Sequence, residues 1–335
     1  MILVIAEKPS VAQSIAKVLG ATSRKDGYME GGNYIVSWCF GHLVELADAS
    51  SYDERYAKWR YDDLPIVPEN WMFEVTKDKA QQFKVLSSLM KDKRVTELVC
   101  ATDAGREGEL IFRLVYDKAG CTKPFKRLWI SSLEDSAIRE GFNHLRDGKE
   151  YDRLYEAALS RSKADWIVGI NGTRLFTTLY HKKLVVGRVQ TPTLAMLVER
   201  DGKISTFQKE KYFNVHVGKG DLTADLEKVK TEEEAKRIAA ACEKRQAVVS
   251  SLRQETKTVN PPKLYDLTTL QREANRYYGF TAQQTLDLVQ TLYEKKLLTY
   301  PRTDSQFITD DMEDTARQVI LIVCRQLPLF SGVSV

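Results

Sequence analysis

Along the first 147 residues, short apolar runs alternate with stretches in which apolar positions recur every three or four residues. Met1 to Ala6, Tyr34 to Phe40, Thr96 to Ala101 and Lys126 to Ile130 read as short strands, the first and third as buried ones. Ser10 to Leu19 and Leu110 to Tyr116 carry the helical period, and Gly20 supplies a C-cap for the first. Ser132 with Asp135 resembles a capping box opening a helix through Leu145. Strands alternating with helices predict an α/β domain with a parallel sheet over residues 1–147. From Tyr151 to about Arg200 the period is helical throughout, except at Gly187–Pro192, where a new helix opens with Pro192 near its first turn. From Thr206 the pattern changes to strict alternation, in Tyr212–Val217, Leu222–Val229 and Ala247–Leu252, with one helix at Glu232–Cys242. After Pro261-Pro262 come helices at Leu267–Tyr278 and Ala282–Lys295 and an extended Leu298–Ser305, the outline of a helix-turn-helix or winged-helix module. The expected segments are therefore 1–147, 148–205, 206–260 and 261–335.

Composition changes this picture little. The 335 residues are 43% hydrophobic and 29% charged with a net charge of +4, so any nucleic-acid surface must come from clustering rather than from bulk charge. The most basic region is Arg161, Lys163, Arg174, Lys182, Lys183 and Arg188. The apolar run Val319–Cys324 is too short to span a bilayer, and the apolar start lacks a basic n-region, so neither a membrane span nor a signal peptide is expected. Five scattered cysteines without a CxxC pair predict reduced thiols, no zinc site and a cytoplasmic location.

The chemistry concentrates in Ala101-Thr102-Asp103-Ala104-Gly105-Arg106-Glu107-Gly108-Glu109, an acidic turn between a strand and a helix. That is where α/β folds place ligands, and hard oxygen donors there suit Mg²⁺; the competing reading is a solvated charged loop. A second such turn is Glu7-Lys8-Pro9-Ser10. If the two strands are neighbours, Glu7 approaches Asp103, and a cation would relieve their repulsion; otherwise Glu7–Lys8 is a surface ion pair. Near the other end, Tyr300 in Thr299-Tyr300-Pro301-Arg302 could attack a phosphodiester, with Arg302 on the same side of an extended segment to stabilise phenolate or phosphate; most of the 15 tyrosines must be packing residues. Trp59, Trp166, Arg174 and the loop Val185, Val186, Gly187, Arg188, Val189, Gln190 offer a stacking and phosphate-binding groove, or simply core tryptophans.

Taken in order, Glu7-Lys8-Pro9-Ser10, Gly41-His42-Leu43, the 101–109 turn, Ala164-Asp165-Trp166, Gly187–Thr193 and Leu298–Ser305 resemble the type IA DNA topoisomerases across essentially the whole chain. The resemblance implies a multidomain fold: a Toprim domain, a helical DNA-binding segment, part of a β arch and the start of a winged-helix-like domain bearing the nucleophile. It implies that Tyr300 forms a 5′-phosphotyrosine with single-stranded or underwound DNA, without ATP, before strand passage and religation by a nucleoid-associated enzyme. Glu7 and Asp103 match the family's Mg²⁺ acids, Lys8 its proton-transfer lysine and Arg302 the arginine beside the nucleophile. Trp59, Trp166, Arg174 and Val185–Gln190 match DNA-contacting positions. Two departures stand out. The family's second Asp is Gly105 here, leaving Glu107 to complete the metal site directly or through water. The family's chains are also usually about twice this long, so a truncated chain that binds DNA without completing catalysis is the alternative. Another Toprim enzyme, a primase or nuclease, would have no use for Tyr300-Pro301-Arg302.

Overall fold

The structure, a computed structural model, describes residues 1–246, 248–295, 297–303, 305–308 and 312–326. Two compact units are present: Met1–Arg188 with the described part of Pro262–Val335, and Val189–Pro261.

In the first unit the chain runs β1 (Ile2–Ala6), α1 (Pro9–Leu19), β2 (Ser23–Lys25), β3 (Tyr28–Gly31), β4 (Tyr34–Trp38), β5 (Val44–Leu46), α2 (Ala49–Tyr52), β6 (Phe73–Val75), α3 (Ala80–Lys91), β7 (Glu97–Ala101), α4 (Arg106–Lys118), β8 (Phe125–Arg127), α5 (Asp135–Asn143), β9 (Arg146–Asp147) and α6 (Asp152–Tyr180). Seven strands form one mixed sheet in the order β2-β3-β4-β1-β7-β8-β9. Its centre, β4-β1-β7-β8, is parallel, and antiparallel strands finish both edges. Both faces of the central strands are covered, which is why they read as unbroken apolar runs. Leu3, Ile5, Leu98 and Cys100 face a core shared with Leu86 and Met90 of α3 and Leu110, Ile111 and Phe112 of α4. Their neighbours Val4, Ala6, Val99 and Ala101 face the opposite core, shared with Val11, Ala12, Ile15 and Ala16 of α1.

α1 stops at Gly20, whose left-handed φ of 75° lets its N–H reach the carbonyls of Ala16 and Lys17. Ser132 does not form the expected capping box. Glu134 is the N-cap of α5, and the Ser132 hydroxyl accepts instead from the Glu134 N–H, two residues on. Later in this unit come helices of Leu267–Tyr278, Ala282–Glu294 and Glu313–Gln326; in chain order these are α9, α10 and α11, since the second unit contributes α7 and α8. A reciprocal Thr281–Gln284 capping box starts α10. Its Tyr293 is buried in the same core as α1. Residues 297–303 are irregular rather than a strand, and Asp304 of the expected extended segment lies outside the described residues.

The second unit comprises α7 (Gln190–Ser205), the antiparallel pair β10 (Phe213–Lys219) and β11 (Leu222–Val229), and α8 (Glu232–Cys242). Val215, Val229 and Ala235 make its small core. The strand expected at 247–252 is not formed over 248–252, and Ala247 lies outside the described residues. Alternation specifies a half-buried strand only where a neighbour supplies the hydrogen-bonding ladder and a covered face; here Val248, Val249 and Leu252 are exposed. No helix among the described residues is long and apolar enough to cross a membrane.

Candidate active site

The site grows from the register of β1 against β7. Ala6 pairs with Ala101, so Glu7 and the Thr102-Asp103 turn leave the sheet side by side at its carboxyl edge. The Asp103 N–H donates to Glu7 Oε2 at 3.3 Å. The third strand joins through Gly41 of the Gly41-His42-Leu43 motif. Its left-handed φ of 67° turns the chain after β4, and its N–H donates to the Glu7 carbonyl. Gly108 answers a different demand: a Cβ there would lie 2.1 Å from the Asp103 carbonyl oxygen. Bare backbone lets the first turn of α4 close against Asp103, and Thr102 Oγ1 donates to the Gly108 carbonyl at 2.7 Å. Glu107 and Glu109 occupy that first turn, where the helix dipole favours acids.

Tyr300 arrives from the far end of the unit. Its N–H donates to the Ser131 carbonyl at 3.2 Å. Its ring meets Tyr293 edge-on, centroids 5.6 Å apart. Its phenol donates a hydrogen bond to the Asp103 carboxylate. Glu7, Asp103 and Tyr300 therefore share one small, mostly buried space. Burial first, then the Asp103 charge, push the Glu7 carboxyl up to about 7; the Asp103 N–H and the charges of Lys8 and Arg302 pull against this. Asp103 is raised by burial, opposed first by the Tyr300 hydroxyl and then by Lys8, Arg302 and Arg127. Burial and the two carboxylates hold the Tyr300 phenol well above its ordinary range, with Arg302 opposing. Lys8 and Arg302 thus act electrostatically on the acid pair from opposite ends of the sequence.

Glu107 stands apart from this pair. It is exposed, with one oxygen 3.7 Å from His42 Nε2 and the other 3.9 Å from Arg106 Nε. No set of three His, Cys, Asp or Glu side chains among the described residues is arranged to hold a metal. Glu7 and Asp103 nevertheless fit a hard divalent cation. Both are oxygen donors, both are largely buried, and burial holds both toward their protonated forms against the pull of Lys8 and Arg302, a penalty that a cation between them would relieve. Gly105 has an ordinary extended φ of 178° and open space where a Cβ would stand, so neither strain nor crowding explains the missing side chain.

Two supports escaped the sequence reading. Arg127, at the end of β8, is fully buried beneath the turn. Nη1 donates to the carbonyls of Cys100, Thr102 and Leu128, and Nη2 to that of Asp103. Its Nε lies 3.1 Å from Glu109 of α4, an ion pair outside hydrogen-bond alignment. Glu109 also binds Arg113, which continues to Asp152. Tyr293, the ring against the candidate nucleophile, is the second. The only advance signals were an arginine ending a strand and a tyrosine on the apolar stripe of α10, and both are common.

A cavity of about 420 Å³ lies along α6, lined by Trp59, Asp165, Trp166, Gly169, Thr173, Arg174 and Val186 among others. Arg174 is almost buried, donates to the Tyr56 carbonyl at 2.8 Å and sits 5.3 Å from the centre of the half-exposed Trp59 ring. Burial lowers its pKa, while Asp48, Asp63 and Tyr56 oppose. The Trp166 indole donates to the Ala47 carbonyl, and its ring packs edge-on against Tyr52 and Trp71, so it is packing residue and cavity wall together. Val185 is exposed beside Val186 and Gly187, and Arg188 pairs with Asp165 at 2.8 Å. Val189 and Gln190 fall in the other unit, at the start of α7.

Residues 149–330 match the sequence profile of a DNA topoisomerase family, and residues 2–133 that of the Toprim domain. The chain belongs to the DNA topoisomerase family. DNA topoisomerase 3 of Staphylococcus haemolyticus is 47% identical over 320 residues, covering 94% of this chain and 45% of that protein. The corresponding Bacillus subtilis protein is 46% identical over 323 residues, covering 94% and 44%. The chain thus spans a little under half the length of these curated topoisomerase relatives. Full-length topoisomerase I of Thermotoga maritima has a similar structure, with a TM-score of 0.68 and 26% identity over 96% of this chain and 52% of that one.

Proposed function

We propose that this chain carries the cleavage centre of a type IA DNA topoisomerase. Its substrate is single-stranded or underwound DNA, and its location is the nucleoid-associated cytoplasm. The observation that supports this most directly is the Tyr300 phenol hydrogen-bonded to Asp103 beside Glu7. Tyr300 Oη attacks the phosphorus, the bond to the 3′ oxygen breaks, and a 5′-phosphotyrosine holds the strand. The phenolic proton leaves along its hydrogen bond to Asp103. Lys8, whose charge already acts on both carboxylates, protonates the departing 3′ oxygen. Arg302 balances negative charge on phenolate and phosphate. Reversal of these steps reseals the strand, so the phosphodiester energy is kept and ATP is not required.

Glu7 and Asp103 would hold Mg²⁺, and the ion would neutralise charge on the phosphate oxygens. A group in the Trp59–Arg174 cavity would be stacked and charge-paired, leaving the strand to run from there past Val185–Arg188. Trp59→Ala is expected to weaken single-strand binding by about 1–3 kcal/mol, measured by fluorescence anisotropy; unchanged affinity would return Trp59 to a packing role. For the reaction itself, the chain should be incubated with labelled single-stranded DNA and Mg²⁺ and then denatured. A covalent adduct supports the reading. Binding without any adduct favours the alternative, a chain that holds single strands but does not cleave them.

The acid pair also makes a thermodynamic prediction. Glu7 titrates at about 7 instead of its ordinary 4.5, so between those values the folded state binds more protons than the unfolded state. Stability from this group therefore falls as pH rises through that window, and the penalty is complete above it. A cation between the carboxylates removes the penalty. Mg²⁺ should accordingly raise Tm more at about pH 8 than near pH 5; equal shifts at both would rule out these carboxylates as the binding site.

A further inference from the structure

The cavity wall on α6 does not end at the cavity. Asp165, Gly169 and Thr173 line it. At the next steps of three and four residues stand Phe176 and Tyr180, on the same face of the helix. Their rings are stacked, with centroids 6.4 Å apart and planes 26° apart, and they are 41% and 66% exposed. The pair therefore stands open to solvent at the end of a long helix. Just beyond it His181 takes a left-handed φ of 51° and reverses the chain. The returning chain, which is not a strand, is pinned back along α6, with the Leu184 N–H donating to Thr177 Oγ1 and the Val186 N–H to Thr173 Oγ1. Lys182 and Lys183 are thereby fixed at the tip of the reversal, beside the aromatic pair, and neither has an ion-pair partner among the described residues. From Trp166 to Arg188 the sequence holds no acid but carries Arg174, Lys182, Lys183 and Arg188.

We propose that Phe176, Tyr180, Lys182 and Lys183 form a second single-strand contact, an extension of the cavity that stacks bases and neutralises phosphates where the strand runs on along α6. This rests on the reading of the chain as a single-strand DNA enzyme. Stacked rings give bases a platform independent of sequence, and unpaired lysines give phosphates counter-charge. A stretch of chain without acids that carries both is matched to a polyanion bearing π faces. From Arg174 to Tyr180 is about 9 Å along the helix axis, so the extension serves nucleotides beyond the one in the cavity.

The test is anisotropy with two labelled oligodeoxythymidylate strands, a short one and one lengthened at both ends, over a salt series on the whole chain. Wild type should bind the longer strand more tightly. Phe176→Ala with Tyr180→Ala should remove that gain, about tenfold or more. Lys182→Ala with Lys183→Ala should lower the salt slope for the longer strand by about 1.4. Adduct yield on the short strand should stay at the wild-type level in both variants. All four positions are at the surface and the variants are expected to fold, with circular dichroism as the check. If wild type gains nothing from the longer strand, or both variants keep its full gain and slope, the second contact is wrong while the cavity and cleavage reading stands. If wild type binds neither strand, the single-strand reading itself falls.

Discussion

Tyr300→Phe is expected to abolish the covalent adduct while leaving single-strand affinity within about twofold of wild type. Among the described tyrosines near the acid pair, Tyr300 donates its phenol to Asp103, and no other phenol is hydrogen-bonded to either carboxylate. Phenylalanine keeps the ring that meets Tyr293 edge-on and the backbone bond to Ser131, so the loss is confined to the nucleophile and one hydrogen bond. That bond, to a charged acceptor, is worth about 1.5–3 kcal/mol at most, so the variant should fold. The measurement is a denaturing gel with the strand labelled at its 3′ end, because a 5′-phosphotyrosine retains the downstream fragment. Tyr293→Phe is the matched control: it is buried, its phenol is held protonated by burial, and the adduct should persist. Adduct surviving in Tyr300→Phe, or lost only in Tyr293→Phe, would move the nucleophile.

How far this site could be read in advance depended on whether a residue's role was written into its own neighbourhood. The acid turn after β7 and the Glu7 turn after β1 were visible because an apolar run, an acid and a helix period follow one another in sequence. Their meeting needed only one further fact, that β1 and β7 are neighbours in parallel register. Tyr300 stood out through Pro301 and Arg302, and in the structure it lies beside the acid pair. The irregular backbone at 297–303 was not foreseen, because apolar residues before a proline look the same in a strand or a loop. Ser132 shows the same limit: a serine and an acid at capping-box spacing also fit a turn one step earlier. The 248–252 segment alternates like a strand, yet alternation cannot supply a partner. Glu107 was placed by spacing beside Asp103, but α4 starts in between and turns its carboxylate toward His42 and Arg106. The deepest gap was Arg127. Nothing local marks an arginine whose Nη groups are spent mostly on the backbone of the neighbouring strand and the turn after it.

Removing that guanidinium should have the second large effect. Arg127→Met is expected to destabilise the chain by about 3–5 kcal/mol, the usual cost of leaving one partner of a buried ion pair alone. The physical reason has two parts. Four carbonyls at the ends of β7 and β8 each lose a donor at once, and among the described residues only that of Cys100 keeps another, the Leu128 N–H. Glu109, fully buried, is left with Arg113 as its only cation. In a domain of this size the cost corresponds to a fall in Tm on the order of 10 °C. Arg127→Lys should recover only part of it, because one ammonium cannot spread its donors across four carbonyls and a carboxylate as a planar guanidinium does. Adding Glu109→Gln to Arg127→Met should cost less than the two single changes summed, since the stranded charge disappears. The effect should also reach the chemistry. The Asp103 carbonyl is held by Nη2 and the Thr102 carbonyl by Nη1, so the turn that presents the Asp103 carboxylate to Tyr300 is anchored from below. At a temperature where Arg127→Lys remains folded, the Mg²⁺-induced rise in Tm should shrink relative to wild type. A full Mg²⁺ response with a lowered baseline Tm would confine Arg127 to stability, and an unchanged Tm in Arg127→Met would refute the clamp altogether.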